Sequence, residues 1–125
     1  MAVAGDGRLA GVPAGMVVVP MPEELDHVNA VQVRLELAAA FVPGVTAVIA
    51  DFTPTVFCDS SGFGEIVWAH KHAAAAGVAF RVVAPHRYMT DYLARVGLAG
   101  YLSVYRDLAA ALAAGGHLGE AAPGG

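Results

Sequence analysis

The sequence predicts a single α/β domain in which a sheet of four or five strands carries about four helices, mainly on one face. Short apolar, β-branched runs alternate along the chain with longer segments whose apolar residues recur at helical spacing. Such alternation favours strands joined by right-handed helical crossovers. The 125 residues show no internal repeat and no linker between domains, so one hydrophobic core is expected.

Four runs are predicted to form the strands: Met16–Val19, Val45–Ala50, Val78–Ala84 and Leu102–Tyr105. These runs are apolar and rich in the β-branched and aromatic residues that buried strands favour. Proline follows the first and third runs, and because proline has no N–H for a ladder, the chain leaves the sheet there. The second run ends in a charge at Asp51.

Four segments are predicted to be helical: His27 to about Phe41, about Ser60 to Ala76, His86 or Tyr88 to Val96, and Arg106–Ala114. Glycine follows the second and third segments, and a Pro-Gly pair ends the first, as is common at helix C-termini.

The spacing of apolar residues also predicts which side of each helix faces the core. The inward residues are expected to be Val28, Val31, Leu35, Ala38 and Val42 in the first helix, Met89, Tyr92, Leu93 and Val96 in the third, and Leu108 and Leu112 in the last. Trp68 lies off the stripe of the second helix, and its orientation, toward the core or toward a partner, is left open.

The two ends of the chain are rich in Gly and Ala and lack sustained periodicity. Residues 1–15 are interpreted as a flexible lead-in with a weak edge strand around Leu9–Val12. Residues 16–114 form the predicted domain, and residues 115–125 a disordered tail.

Composition excludes several classes of protein. A hydrophobic fraction of 57% with 14% charged residues rules out a disordered chain. A net charge of −4 with only seven Lys and Arg argues against a nucleic-acid partner. The uncharged stretches fall short of the roughly 20 apolar residues of a spanning helix, and no signal peptide is evident. With one cysteine, Cys58, and therefore no internal disulfide, a cytoplasmic protein without membrane insertion is expected.

The segment that carries candidate chemistry is Cys58–Gly64, between the second strand and the second helix. Asp59 is a favourable helix cap, and the free N–H groups of a first turn can hold an anion. Two hydroxyls, on Ser60 and Ser61, stand there as candidates for covalent modification. The alternative is a well-formed helix cap with nothing attached.

Acidic residues follow the neighbouring strands, at Asp51 and at Glu24-Leu25-Asp26. Because loops at the carboxyl ends of parallel strands gather at one edge of a sheet, these carboxylates are expected to converge near Ser60. They are interpreted either as an acidic rim that a partner recognises or as solvated turn residues and helix caps. The five histidines show no zinc-type spacing, so no metal site is expected.

Two stretches, Ile49–Phe52 and Val56–Gly64, resemble the central signature of STAS domains, and most closely that of bacterial anti-sigma factor antagonists. The similarity extends from about Met16 to Ala114. It implies the STAS fold with a mixed sheet, and Ser60, directly after the Asp of the motif, matches the serine that this family phosphorylates. Pro22-Glu23 departs from the small, flexible turn usual in the family.

The resemblance implies a phosphorylation-controlled partner switch. The unphosphorylated protein is expected to bind an anti-sigma factor that is also a Ser kinase, thereby freeing a sigma factor, and a metal-dependent Ser/Thr phosphatase resets it. No cofactor is expected, because ATP belongs to the kinase. The partner-binding residues are expected to be Glu24, Asp26, Asp59, Ser60, Ser61, Gly62 and Phe63, with Ser60, or alternatively Ser61, phosphorylated.

No enzyme is expected, since the chain lacks a nucleophile elbow and a phosphate-binding loop with Lys. Two other functions remain open. One is an unphosphorylated structural STAS module of a lipid-transport or stress-sensing complex, and the other is a STAS domain that binds a small anion.

Overall fold

The fold was analysed in a computed structural model that describes residues 11–114. Its elements, in chain order, are β1 (Met16–Pro20), β2 (Glu24–Leu25), α1 (Ala30–Ala39), β3 (Ala47–Asp51), β4 (Phe57–Cys58), α2 (Ser60–Ala76), β5 (Ala79–Val83), α3 (Arg87–Arg95), β6 (Ser103–Tyr105) and α4 (Leu108–Ala113).

The main sheet has four strands in the order β1-β3-β5-β6, and every neighbouring pair is parallel. In the centre of the sheet, Val18 pairs with Ile49 and Ile49 with Arg81. Because the strands are parallel, all four carboxyl ends lie at one edge, and the segments that leave β1, β3 and β5 start there. The main sheet of the described residues is therefore purely parallel rather than mixed. Of the edge strand expected around Leu9–Val12, Gly11 and Val12 are not in a strand, and the first two residues, like the tail 115–125, lie outside the described residues.

A second sheet of two strands, β2 and β4, has no counterpart in the sequence prediction. Glu24 pairs with Phe57 and Leu25 with Cys58. Two-residue strands carry too little periodicity to be recognised along a chain, because alternation needs several residues to become visible. This small sheet joins the two loops that precede α1 and α2.

Two hydrophobic clusters lie on opposite faces of the main sheet. The larger cluster contains the buried sides of α1, α2 and α3, and the smaller one, with Ile49, Val83, Tyr105 and Ala111, is covered by α4. Leu108 and Leu112 pack against the smaller cluster, as their spacing predicts. In the same layer the guanidinium of the fully buried Arg81 donates to the carbonyl of Ala111 at 3.0 Å and so ties α4 to β5.

The predicted inward face of the first helix is wrong. The residues assigned to it are exposed, whereas Ala30, Val33, Leu37 and Ala40 are buried against the sheet. The helix carries apolar residues on two opposite sides, so the spacing reveals a stripe but not which stripe faces the core. The buried side belongs to the larger core cluster, which α1 shares with α2, α3 and the sheet.

Other predicted boundaries are confirmed to within a few residues. The second helix runs from Ser60 to Ala76 as predicted and ends at Gly77, whose φ of 72° is the left-handed value typical of that position. The first helix begins at Ala30 rather than His27, because a hydrogen-bonded turn precedes it. In α3, Met89 and Leu93 are buried as predicted, but Val96 is exposed.

Trp68 lies between α1 and α2 and is half-buried. The guanidinium of Arg34 lies 4.8 Å from the centre of its ring, and the ring of His72 stacks on it at 4.9 Å. Arg34 also pairs with Glu65. Trp68 therefore packs on the first helix, where it contributes to the contact between the two helices.

Candidate functional site

The candidate site is the edge of the sheet at which β1, β3 and β5 end, together with the first turn of α2; we refer to it as the Ser60 edge. Three segments meet there: residues 20–29, residues 51–62 and residues 84–88. Ligand-binding groups of α/β sheets commonly lie in this position, beyond the carboxyl ends of the strands.

Asp59 caps the helix on which Ser60 is the first residue. Its carboxylate Oδ1 accepts a hydrogen bond from the N–H of Gly62 at 3.1 Å, so the capping role predicted for it is confirmed. The N–H of Asp59 in turn donates to the carbonyl of Leu25 in β2 at 3.0 Å. Ser60 is exposed and Ser61 is half-buried. Ser60 therefore lies at the surface of a helix start that hydrogen bonds fix both to α2, through Gly62, and to β2, through Leu25.

Gly62 permits an unusually close contact between this helix start and the chain before α1. A Cβ atom at position 62 would come 2.5 Å from Cδ2 of Leu25 and 2.7 Å from Sγ of Cys58. Leu25 is fully buried, so it has little space to withdraw. The first turn of α2 and the β2 strand are therefore fixed to each other by packing as well as by hydrogen bonds.

Asp26 forms a compact turn with the residues that lead into α1. Its Oδ1 accepts from the N–H of Val28 at 2.9 Å and from that of Asn29 at 3.4 Å. The Asn29 side chain returns the contact, with Oδ1 accepting from the N–H of Asp26 and Nδ2 donating to the carbonyl of Glu24. Asp26 thus acts as a cap of this turn, and Glu24 is the more exposed carboxylate beside it.

The loop between β3 and β4 is held by its own hydrogen bonds and by α3. Asp51 accepts from the N–H and the hydroxyl of Thr53, so its carboxylate closes a local turn. Thr55 is fully buried and its hydroxyl donates to the carbonyl of Pro22 at 2.8 Å. The hydroxyl of Tyr88 donates to the carbonyl of Thr55. The loop that presents Ser60 is therefore preformed.

The predicted partner-binding residues separate into two groups. Glu24, Asp26, Asp59, Ser60 and Ser61 lie at the surface of the Ser60 edge, whereas Gly62 and Phe63 are buried. The ring of Phe63 stacks on those of Phe52 and Tyr92, so it supports the edge from beneath. Sequence reasoning missed Val56 and Phe57, which remain 62% and 49% exposed beside Ser60. Two large apolar residues in a short loop directly before the Cys58–Gly64 segment could have indicated an exposed apolar surface at this site.

The described residues offer little chemistry apart from the hydroxyls. Burial, with a smaller contribution from the charge of Asp59, raises the pKa of the Cys58 thiol to about 12, so the thiolate needed for nucleophilic attack is scarce at neutral pH. Between residues 11 and 114, no three His, Cys, Asp or Glu side chains are grouped as metal ligands. In the same part of the chain, no helix has the length and apolarity to span a membrane.

Comparisons with known proteins place this geometry in a family. The sequence model of the STAS domain matches residues 9–111, while no curated protein matches the chain. Among solved structures, the chain is similar to the Bacillus cell fate determinant SpoIIAA in its phosphorylated form, with 27% identity and a TM-score of 0.61 over 80% of this chain and 91% of that one.

Two further structures share the fold at lower identity. An anti-sigma factor antagonist from Mycobacterium paratuberculosis has 22% identity and a TM-score of 0.69 over 89% of this chain and 96% of that one. A sulfate transporter family protein from Wolinella succinogenes has 16% identity and a TM-score of 0.66 over 88% and 90%. Because the family match covers most of the residues and the four-stranded α/β architecture agrees with it, the chain belongs to the STAS domain family.

Proposed function

We propose that this protein is an anti-sigma factor antagonist whose binding to its partner is controlled by phosphorylation of Ser60. The observation that carries the proposal is an exposed hydroxyl on the first residue of α2, in a loop held rigidly by hydrogen bonds and packing. Similarity to SpoIIAA, which has been solved in phosphorylated and unphosphorylated forms and is an anti-sigma factor antagonist, supports it.

Ser60 is a better phosphate acceptor than Ser61 on physical grounds. Ser60 is exposed, whereas Ser61 is half-buried in the same turn, and a kinase must reach the hydroxyl oxygen from outside. Within residues 11–114 the side chain of Ser60 makes no hydrogen bond on which the fold depends. Its modification therefore leaves the internal contacts of the edge intact.

A phosphate at this position changes the charge of the edge far more than its shape. It adds about −1.5 to −2 charges at neutral pH, close to the carboxylate of Asp59 and the exposed Glu24. The helix N-terminus tolerates an anion, which limits the cost to folding. A partner group of like charge at about 4 Å would lose roughly 1 kcal/mol in water and about 4 kcal/mol at an effective dielectric of 20.

That range is sufficient for a switch without a conformational change. A tenfold change in affinity takes about 1.4 kcal/mol, and partial exclusion of water at an interface gives more than this. In the proposed cycle, the unmodified protein binds a Ser kinase anti-sigma factor and thereby frees the sigma factor. Transfer of the ATP γ-phosphoryl group to the Ser60 oxygen then separates the two proteins, and a metal-dependent phosphatase restores the hydroxyl. ATP and the metal ion belong to the partners.

The test is incubation of the purified protein with Mg-ATP and each anti-sigma factor kinase encoded in the source genome, followed by intact-mass measurement. The expected result is the gain of one phosphoryl group with at least one kinase. The gain should be lost in Ser60→Ala and largely retained in Ser61→Ala, which serves as the matched control one residue away.

The opposite result for the two variants would assign the phosphate to Ser61. If no kinase modifies the protein, the phosphorylation switch is wrong, and the structural and anion-binding alternatives take its place. Equilibrium dialysis with inorganic phosphate then distinguishes these two, since only an anion-binding domain retains the ion.

A further inference from the structure

The outward side of α1 is an apolar stripe that the fold does not cover. Val28, Val31, Leu35 and Val42 recur at helical spacing and are 79%, 68%, 58% and 51% exposed. We refer to these four residues as the outer α1 stripe. The opposite side of the same helix packs on the sheet. A helix that is apolar on two opposite sides is usually covered on both, so the stripe indicates a contact with another molecule.

The stripe begins at the Ser60 edge. Val28 lies in the turn that Asp26 and Asn29 close, and the Asn29 side chain donates to the carbonyl of Glu24 at 2.7 Å. Glu24 pairs with the exposed Phe57 across the small sheet. The surface therefore runs from the loop that carries Ser60, through Val28, onto the helix without an intervening element.

The size of the stripe argues against a second copy of this chain as its occupant. The stripe extends from Val28 to Val42, just beyond both ends of α1, and at the rise of a helix it is about 20 Å long and about 10 Å wide. Its face offers on the order of 200 Å², whereas a stable complex takes about 800 Å² from each partner. The stripe is therefore too small to hold a dimer together by itself. Its area suits a secondary contact that enlarges an interface centred on Ser60.

The borders of the stripe indicate the charge of the partner. Glu36, hydrogen-bonded to Gln32, flanks it along one side, and Glu23 and Glu24 are exposed at its Ser60 end. On the other side, the cationic group of Arg34 is already engaged by Glu65 and Trp68. A complementary surface would therefore carry an apolar ridge flanked by Lys or Arg side chains.

We propose that the outer α1 stripe is a second contact surface for the kinase that binds the Ser60 edge, and that the kinase covers it with such a basic-flanked apolar ridge. This inference rests on the proposed function, because it assigns the stripe to the same partner. It adds a determinant of affinity, centred on Val31 and Leu35, that lies outside the Ser60 edge and does not depend on the charge of Ser60.

The experiment compares Val31→Gln and Leu35→Gln with the control Val96→Gln. Val96 is 47% exposed and is the C-cap of α3, whereas the N-cap of the same helix, His86, contacts Thr53 at the Ser60 edge. The control therefore lies at the end of α3 that is far from the Ser60 edge. Glutamine has a helix propensity close to that of leucine and better than that of valine, so both stripe variants should keep their fold. Urea unfolding of each variant verifies this.

The affinity of each variant is measured by titration calorimetry without ATP, against the kinase that phosphorylates the wild type. Each stripe substitution should weaken binding roughly tenfold, as expected for the loss of one buried aliphatic contact at an interface. The KM for the protein in phosphate transfer should rise by a similar factor with kcat unchanged, since Val31 and Leu35 lie outside the Ser60 edge. Val96→Gln should match the wild type in both assays.

The outcomes separate the two proposals. If the kinase phosphorylates Ser60 but binds Val31→Gln and Leu35→Gln as tightly as Val96→Gln, the inference is overturned and the proposed function stands. If no kinase phosphorylates the wild type, both are overturned. If the wild type sediments as a dimer and Leu35→Gln as a monomer, a second copy covers the stripe and the inference is wrong.

Discussion

Replacement of Gly62 by alanine tests whether the Ser60 edge is as tightly assembled as its contacts indicate. The added methyl group would lie 2.5 Å from Cδ2 of the fully buried Leu25 and 2.7 Å from Sγ of Cys58, so at least one of them must move. Overpacking of this kind costs about 1–3 kcal/mol. Alanine in place of glycine in a helix recovers about 0.5–1 kcal/mol, so a net loss of about 0–2.5 kcal/mol is expected.

Gly64→Ala is the matched control, because Gly64 lies in the same helix and a Cβ there would meet nothing within 4 Å. This variant should show only the stabilisation that alanine gives a helix over glycine, with no packing cost, and so raise the free energy of unfolding by about 0.5–1 kcal/mol. The difference between the two variants therefore isolates the packing at Gly62, at about 1–3 kcal/mol.

Urea unfolding followed by circular dichroism gives both free energies, provided that the m values agree with the wild type. The reasoning is refuted if Gly62→Ala is as stable as Gly64→Ala. In that case the β2 strand is not fixed against the start of α2, and the Ser60 loop cannot be treated as preformed.

Two further predictions concern residues beside Ser60. Asp59→Ala should lower the free energy of unfolding by about 0.5–2 kcal/mol, because the N–H of Gly62 loses its acceptor, and an unchanged urea midpoint would contradict this. Because the pKa of the Cys58 thiol is raised to about 12, iodoacetamide at pH 8 should alkylate the native protein at least about 100-fold more slowly than the urea-unfolded chain. The native rate should rise with pH as thiolate forms, and equal rates at pH 8 would mean that the loop opens readily.

The sequence predicted the architecture because the relevant signals are local. Apolar β-branched runs, helical spacing and terminal glycines recur within a few residues of each other, and they gave α2 from Ser60 to Ala76 with its Asp59 cap and its end at Gly77. The family pattern around Asp59-Ser60 is local in the same sense, and the match over residues 9–111 agrees with it.

The tertiary structure decided what depends on contacts between distant segments. The two-residue strands β2 and β4 exist only as a pair, and the burial of Leu25 against Gly62 joins residues 37 positions apart. The side of α1 that faces the core is the clearest case. Helical spacing groups Val31 with Leu35 and Val33 with Leu37 equally well, and only the docking of the helix against the sheet determines which pair is buried. Spacing reports which residues share a face, but burial is a property of the whole fold.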